Sequence, residues 1–226
     1  MSARDIIIRP IDSKSSRRIV QRHHYSGKST QNSQIHLGVF YKDKLEGALQ
    51  FGPSIDKRRM AKNLNVGFNE VIELNRMALS DACPKNSESR SLGVSLRLIK
   101  KKYPHIKIVV SFADACQCGD GTIYKASGFK LHSFKKNTSL LIGPSGDIVA
   151  KKSLDDKIDG KTGKYLSSIY IKEKGYKPLI GFQMKYLYFL DKKIEKNYKF
   201  IPFTEIPNNV KMYKGIKREE HENNAL

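Results

Sequence analysis

Two apolar stretches separated by a helix-like segment constrain this chain most. Val71–Leu79 reads VIELNRMAL, and Ile106–Asp114 reads IKIVVSFAD, an apolar run of the kind buried on both faces of a sheet. Between them, the polar SDACPKNSESR (residues 80–90) leads into SLGVSLRLIKKKY (residues 91–103), whose apolar positions recur with helical period. A strand, loop, helix and strand in that order imply a parallel pairing of the two strands, and hence an α/β domain.

The flanking sequence fits the same class. SSRRIVQRHH (residues 15–24) predicts a first helix that opens on hydroxyl residues and ends at the His-Tyr pair, where Tyr25-Ser26-Gly27-Lys28 breaks the pattern. Ile35, Leu37, Val39 and Tyr41 alternate before Lys42-Asp43-Lys44 turns the chain into LEGALQFG, which predicts a hairpin. TIYKASG (122–128) predicts a short helix, FKLHSF (129–134) precedes a hairpin about Gly143-Pro144-Ser145-Gly146, and GFQMKYLYFL (181–190) predicts a late strand. The expected architecture is a mixed central sheet flanked by helices, with a C-terminal extension. We expect one catalytic domain over residues 1–210, with a soft boundary near Ser133, and a polar tail over 211–226.

Charge narrows the partners. Lys and Arg number 42 against 22 acidic residues, a net +20 in 226 residues. The excess is spread evenly over residues 1–60, 61–150 and 151–226, so it belongs to the body rather than to a tail. Such a surface repels itself unless its working partner is a polyanion, and nucleic acid is the first candidate. A lysine-rich genome is the alternative source of the same bias. Cys83, Cys116 and Cys118 are an odd and sparse set, and MSARDIII lacks a signal-peptide layout, so a reducing cytoplasm is expected. No apolar run approaches the roughly 20 residues of a bilayer span, so no membrane partner is expected.

Arg90-Ser91-Leu92-Gly93-Val94-Ser95 falls at the expected helix start, where backbone N–H groups and the helix dipole favour a phosphate and Gly93 lets it approach. A single glycine there is also a routine packing device. The order of this helix, the buried strand and Tyr124-Lys125-Ala126-Ser127-Gly128-Phe129 resembles the GNAT acetyltransferases. The resemblance implies that Arg90, Ser91, Leu92, Gly93, Val94 and Ser95 hold the pyrophosphate of acetyl-CoA or a related donor. It further implies that the two central strands splay to admit the thioester arm and that Tyr124 lies near sulfur. Ser95 departs from the glycine or alanine usual at that place.

A second resemblance runs through Arg22-His23-His24-Tyr25-Ser26, His36-Leu37-Gly38-Val39-Phe40, Glu73-Leu74-Asn75-Arg76-Met77, Ser111-Phe112-Ala113-Asp114 and Cys118-Gly119-Asp120-Gly121-Thr122-Ile123-Tyr124. These blocks, in order over roughly residues 20–190, resemble the Mom family of phage DNA-modification proteins. The resemblance implies conversion of adenine in double-stranded phage DNA to its N6-carbamoylmethyl form in the host cytoplasm, which hides the DNA from restriction. It implies His24, Tyr25, Arg76, Asp114 and Tyr124 as catalytic residues. Iron is implied as well, with His24, Tyr25 and Asp114 as its ligands.

Each residue also has a plainer reading. His23 and His24 could simply add to a basic surface, and Asp114 could cap the loop after its strand. Cys116 and Cys118 form C-x-C, which is not a recognised zinc spacing. Arg76 sits in an apolar strand and must meet an anion, with Glu73 as the structural alternative. By simple alternation Glu73 and Asn75 share the opposite face and could orient a substrate amine, which burial alone would decide. Gly160-Lys161-Thr162-Gly163-Lys164 is no phosphate loop, because Tyr165 stands where Ser or Thr is needed. A conventional GNAT enzyme acting on a small amine or a tRNA base is the first alternative function, and a non-enzymatic DNA-coating protein the second.

Overall fold

A computed structural model describes residues 2–116, 119, 121–151, 171 and 173–206. The expected tail from Lys211, the 160–165 segment and Cys118 lie outside these residues. Contacts divide the chain into two compact units, one of Met1–Phe112, Gly121–Ser133 and Lys185–Thr204, the other of Ala113–Asp120, Phe134–Met184 and Glu205–Leu226.

The described strands are β1 (Ile7–Pro10), β2 (Ile35–Tyr41), β3 (Lys44–Gly52), β4 (Val71–Leu79), β5 (Ile108–Asp114), β6 (Lys130–Lys136), β7 (Leu140–Ile142), β8 (Ile148–Ala150), β9 (Lys177–Pro178) and β10 (Phe182–Phe189). The helices are α1 (Ser13–His23), α2 (Lys57–Asn63), α3 (Ser87–Lys102) and α4 (Thr122–Ala126). A seven-stranded sheet has the order β1-β2-β3-β4-β5-β10-β6, and a three-stranded sheet the order β8-β7-β9.

In the first unit, β1 to β4 form an antiparallel meander, and β4 pairs with β5 in parallel as expected. The β2–β3 hairpin closes through Lys42 and Asp43, both at positive φ (49° and 60°), a two-residue turn whose twist matches the strands. α1 starts earlier than its hydroxyl residues suggested: Asp12 is the N-cap, its carboxylate accepting from the Ser15 N–H at 2.8 Å, and His24 is the C-cap. Val20 of α1 packs with Ala48 and Ala78, while Ala61 and Leu64 from the α2 region pack with Val71, Ile108, Val110, Leu187 and Phe189. β1, α2 and β9 are elements the pattern reading did not mark; each is too short to show a period.

In the second unit, β7 and β8 form the expected hairpin, with Gly146 at φ 79° in its turn. Buried Asn137 ties this unit together, donating to Leu140 O at 2.9 Å and Leu179 O at 2.7 Å and accepting from the Ser139 and Leu140 N–H groups, both at 3.0 Å. Among the described residues no helix is long and apolar enough to cross a membrane.

Candidate active site

The parallel register of β4 and β5 runs Val71↔Ile108, Ile72↔Val109, Glu73↔Val110 and then ends. β4 continues to Leu79, bonded on its other side to β3, and β5 continues to Asp114. The two central strands therefore part at Glu73, the splay that the sequence resemblance implied. A carboxylate stands at the opening of the fork.

The next residue but one makes the site. Between Gln50↔Arg76 and Phe51↔Leu74 the β3–β4 register skips Asn75, so Asn75 is the extra residue of a β-bulge. Its side chain is buried; the amide oxygen accepts from Ser33 Oγ at 3.0 Å and the amide nitrogen donates to Pro53 O at 3.3 Å. Ser33 Oγ lies 2.6 Å from Thr30 Oγ1, which donates to Gln50 Oε1 at 3.3 Å, and fully buried Gln50 donates to Ser16 Oγ at 3.0 Å. This chain of polar contacts links α1, the 24–34 loop and the bulge. Gly52 is a glycine for want of space, since a Cβ there would stand 2.7 Å from both Asn32 O and Asn75 Oδ1.

Burial pushes the Glu73 carboxyl up to about 6, against hydrogen bonds from Asn75 and Ser54 and the charge of Arg76, all of which favour the carboxylate. A carboxylate with that value is poised to take a proton near neutrality. Arg76 is not ion-paired with it: its Nε donates to Lys28 O at 3.2 Å and its terminal nitrogen to Asn75 O at 2.6 Å. The guanidinium is thus fixed by carbonyls and keeps its charge for the site.

Burial first, and then the Arg76 charge, push the His24 imidazole down to about 4, so it is neutral at pH 7. Its Nδ1 accepts from the Ser26 N–H at 3.2 Å and lies 2.8 Å from Ser26 Oγ. The proton of the neutral ring therefore sits on Nε2, which makes His24 a hydrogen-bond donor. Tyr25, half-exposed, lies with its ring centroid 4.2 Å from that of His24.

Tyr124 and Asp114 are placed on other elements. Tyr124 is on α4; its hydroxyl donates to Phe112 O at 3.4 Å and its ring packs on Phe129 and Tyr186. Asp114 ends β5 in the second unit, where its carboxylate accepts from the Cys116 N–H at 3.1 Å, the loop-capping contact anticipated as the plainer reading. Among the described residues no group of three or more His, Cys, Asp and Glu side chains is placed to hold a metal ion.

The helix that carries the expected phosphate loop starts a turn earlier than its sequence pattern suggested. α3 begins at Ser87, so the N–H groups of Ser91 to Ser95 lie inside the helical ladder and cannot point at a phosphate. Ser91, Leu92 and Ser95 are buried. In the first turn of α3 the Ser87 N–H donates to Pro84 O at 3.1 Å and the Arg90 N–H to Asn86 O at 3.2 Å, which leaves the N–H groups of Glu88 and Ser89 ahead of the ladder; Asn86 is the N-cap at φ 70° without a side-chain hydrogen bond. Gly93 faces open space, a Cβ there meeting only an Arg97 guanidinium nitrogen at 3.9 Å.

Gln50, Ser33 and Ser54, and the role of Glu73 as the carboxylate at the fork, were not drawn from the sequence. Gln50 carried a usable signal, a lone amide in the apolar run LEGALQFG, since a buried polar side chain must find partners.

Comparison with solved structures places the fold. The chain superposes on Arabidopsis thaliana NAA60 in complex with acetyl-CoA with a TM-score of 0.50 at 11% identity, covering 81% of this chain and 99% of that one. It also matches an acetyltransferase of the GNAT family from Streptococcus pneumoniae, with a TM-score of 0.45 at 10% identity over 81% of this chain and 98% of that one. The fold is that of the GNAT acetyltransferases, a mixed sheet flanked by helices and forked between two parallel strands. Sequence then fixes the family. The Mom protein family matches residues 5–208, and the methylcarbamoylase Mom of Escherichia phage Mu is 36% identical over 187 residues, 80% of this chain and 74% of that protein. This chain belongs to the Mom protein family.

Proposed function

We propose that this protein is a DNA methylcarbamoylase that converts adenine in double-stranded DNA to N6-carbamoylmethyladenine inside the host cell, and so protects phage DNA from restriction. The observation that carries the reading is the 36% identity to the phage Mu methylcarbamoylase over 80% of the chain. The net charge of +20 supports a polyanionic substrate.

N6 is paired inside the duplex, so the adenine must leave the stack to react. In this reading it enters the fork at Glu73. The N6–C bond forms as the carbamoylmethyl carbon leaves its donor, the leaving group departs with the electron pair, and the Glu73 carboxylate takes the N6 proton. Neutral His24 donates from Nε2 to the base, Arg76 holds the polar end of the transferred group, and exposed Tyr25 stacks on the base. Tyr124, on α4, lies toward the leaving group, and Asp114 orders the loop after β5. The donor's phosphates meet the first turn of α3 with Arg90, and the donor is a CoA-related molecule that carries its leaving group on the methylene carbon of the carbamoylmethyl group, so that N6 displaces it there. Simple acetyl transfer is not the reaction, because it would leave an amide on N6 where the product has a methylene. Iron, with His24, Tyr25 and Asp114 as its ligands, is a further expectation of the family; among the described residues no three His, Cys, Asp and Glu side chains come together to hold a metal ion.

Nucleoside mass spectrometry of DNA from expressing cells tests the reading. The expected result is an adenosine species heavier by a carbamoylmethyl group. Unmodified adenine together with an acetylated amine would establish the conventional acetyltransferase instead. Loss of restriction resistance after deproteinisation would establish a coating protein.

A further inference from the structure

The connection between β3 and α2 carries an apolar residue where a folded protein has no use for one. Ile55 is 83% exposed, yet its neighbours are fixed. Pro53 O accepts from the Asn75 amide at 3.3 Å and from the Asn32 amide at 3.2 Å. Ser54 is buried and hydrogen-bonds the Glu73 carboxylate. Asp56 caps α2, accepting from the Arg59 N–H at 3.0 Å. The side chain is therefore held out on a rigid loop, one residue from a contact to the carboxylate at the fork. Single exposed apolar residues are ordinary; one pinned on both sides beside a reactive group is not.

The helix after Ile55 has the opposite character. Arg58, Arg59 and Lys62 of α2 are exposed, and the Lys57 ammonium lies 3.9 Å from the centre of the Phe68 ring, itself 48% exposed. An apolar tip flanked by cations suits a duplex, whose phosphates attract the cations while its base stack accepts the tip. Extruding a base leaves a gap in the stack and loses stacking and pairing, and an inserted apolar side chain offsets part of that loss.

We propose that Ile55 is a wedge that enters the duplex at the place vacated by the extruded adenine, while the cations of α2 hold the flanking phosphates. The proposal rests on the reading that duplex DNA is the substrate, and it assigns the step of extrusion to a residue outside the chemical site.

The test uses the full-length protein and mixed-sequence duplexes in which 2-aminopurine replaces adenine after each of the four bases, with affinity measured on the same samples by anisotropy. The expected result is a several-fold fluorescence rise on binding to wild type. Ile55→Ala should bind within about threefold of wild-type affinity without that rise, and Ile55→Phe should restore it. Because Ile55 is exposed, both variants should melt with wild type. The wedge is overturned if wild type binds without a rise, if Ile55→Ala gives the full rise, or if the rise falls only in proportion to lost affinity. Extrusion without any carbamoylmethyl product in cellular DNA would instead overturn the chemical reading and leave the wedge standing.

Discussion

Glu73 and Arg76 lie on the same face of β4 because Asn75 is an extra residue between them. In an unbroken strand, residues three apart point to opposite faces. The bulge adds one residue, restores the parity, and brings the guanidinium charge to bear on both the Glu73 carboxyl and the His24 ring.

If Glu73 is the proton acceptor, Glu73→Gln should lower kcat by about 10²- to 10⁴-fold, the usual range for loss of a general base. In the wild type, kcat/KM should fall as pH drops through about 6, where the carboxylate is protonated. The same substitution should stabilise the fold above that pH by about 2 kcal/mol, since a shift of roughly 1.5 units no longer has to be borne. A variant that is inactive and also melts higher is the signature; an inactive variant that melts lower argues for a structural role.

His24 and Glu73 load the fold in opposite directions. Glu73 has a folded value raised from 4.5 to about 6, so the stability it contributes is complete below 4.5 and is lost as pH rises to about 6. His24 is lowered from 6.5 to about 4, so its contribution is present above 6.5 and is lost as pH falls toward 4. Between 4.5 and 6 the two oppose each other. Relative to wild type, Glu73→Gln should therefore lose stability on acidification through this window, and His24→Gln should lose it as pH rises. Urea midpoints at half-unit pH intervals measure both slopes, each at most about 1.4 kcal/mol per pH unit.

The bulge also explains what the sequence could and could not tell. Val71–Leu79 was legible to its ends because a largely apolar run between turn signals leaves little choice. The fork was legible as a resemblance, and His24 at the end of α1 could be placed from the Gly- and Ser-rich segment after it. The side from which Arg76 acts was not legible, because alternation is a rule for regular strands and nothing in LNRM announces an added residue. The start of α3 was missed for a related reason. Ser87, Glu88 and Ser89 look like loop, and Asn86 begins the helix from a left-handed conformation that sequence does not mark.

Gly52 tests how tightly the bulge is held. A Cβ at that position would press on the Asn32 carbonyl oxygen and on the Asn75 amide oxygen, and the Asn75 side chain cannot retreat without giving up its bonds with Ser33 and Pro53. Gly52→Ala should cost about 1–3 kcal/mol, as overpacking does. It should also reduce activity more than a destabilisation of that size would, because Asn75 supports Glu73. Activity measured well below the melting temperature separates the two effects.

α3 offers a substitution in the stabilising direction. The hydroxyls of Ser87, Ser91 and Ser95 are buried on one helix face, spaced by four, with no hydrogen-bond partner among the described residues. A buried donor without a partner costs about 1–3 kcal/mol relative to a satisfied one, and alanine is the better helix former by a few tenths more. Ser95→Ala, deepest in the helix and furthest from its first turn, should raise the urea midpoint by an amount equivalent to about 1 kcal/mol with m unchanged. Donor affinity should stay the same, because the N–H groups proposed to meet the phosphates, those of Glu88 and Ser89, lie in the first turn. A loss of donor affinity in Ser95→Ala with stability unchanged would return the phosphate site to residues 90–95, where the resemblance to the acetyltransferases puts it.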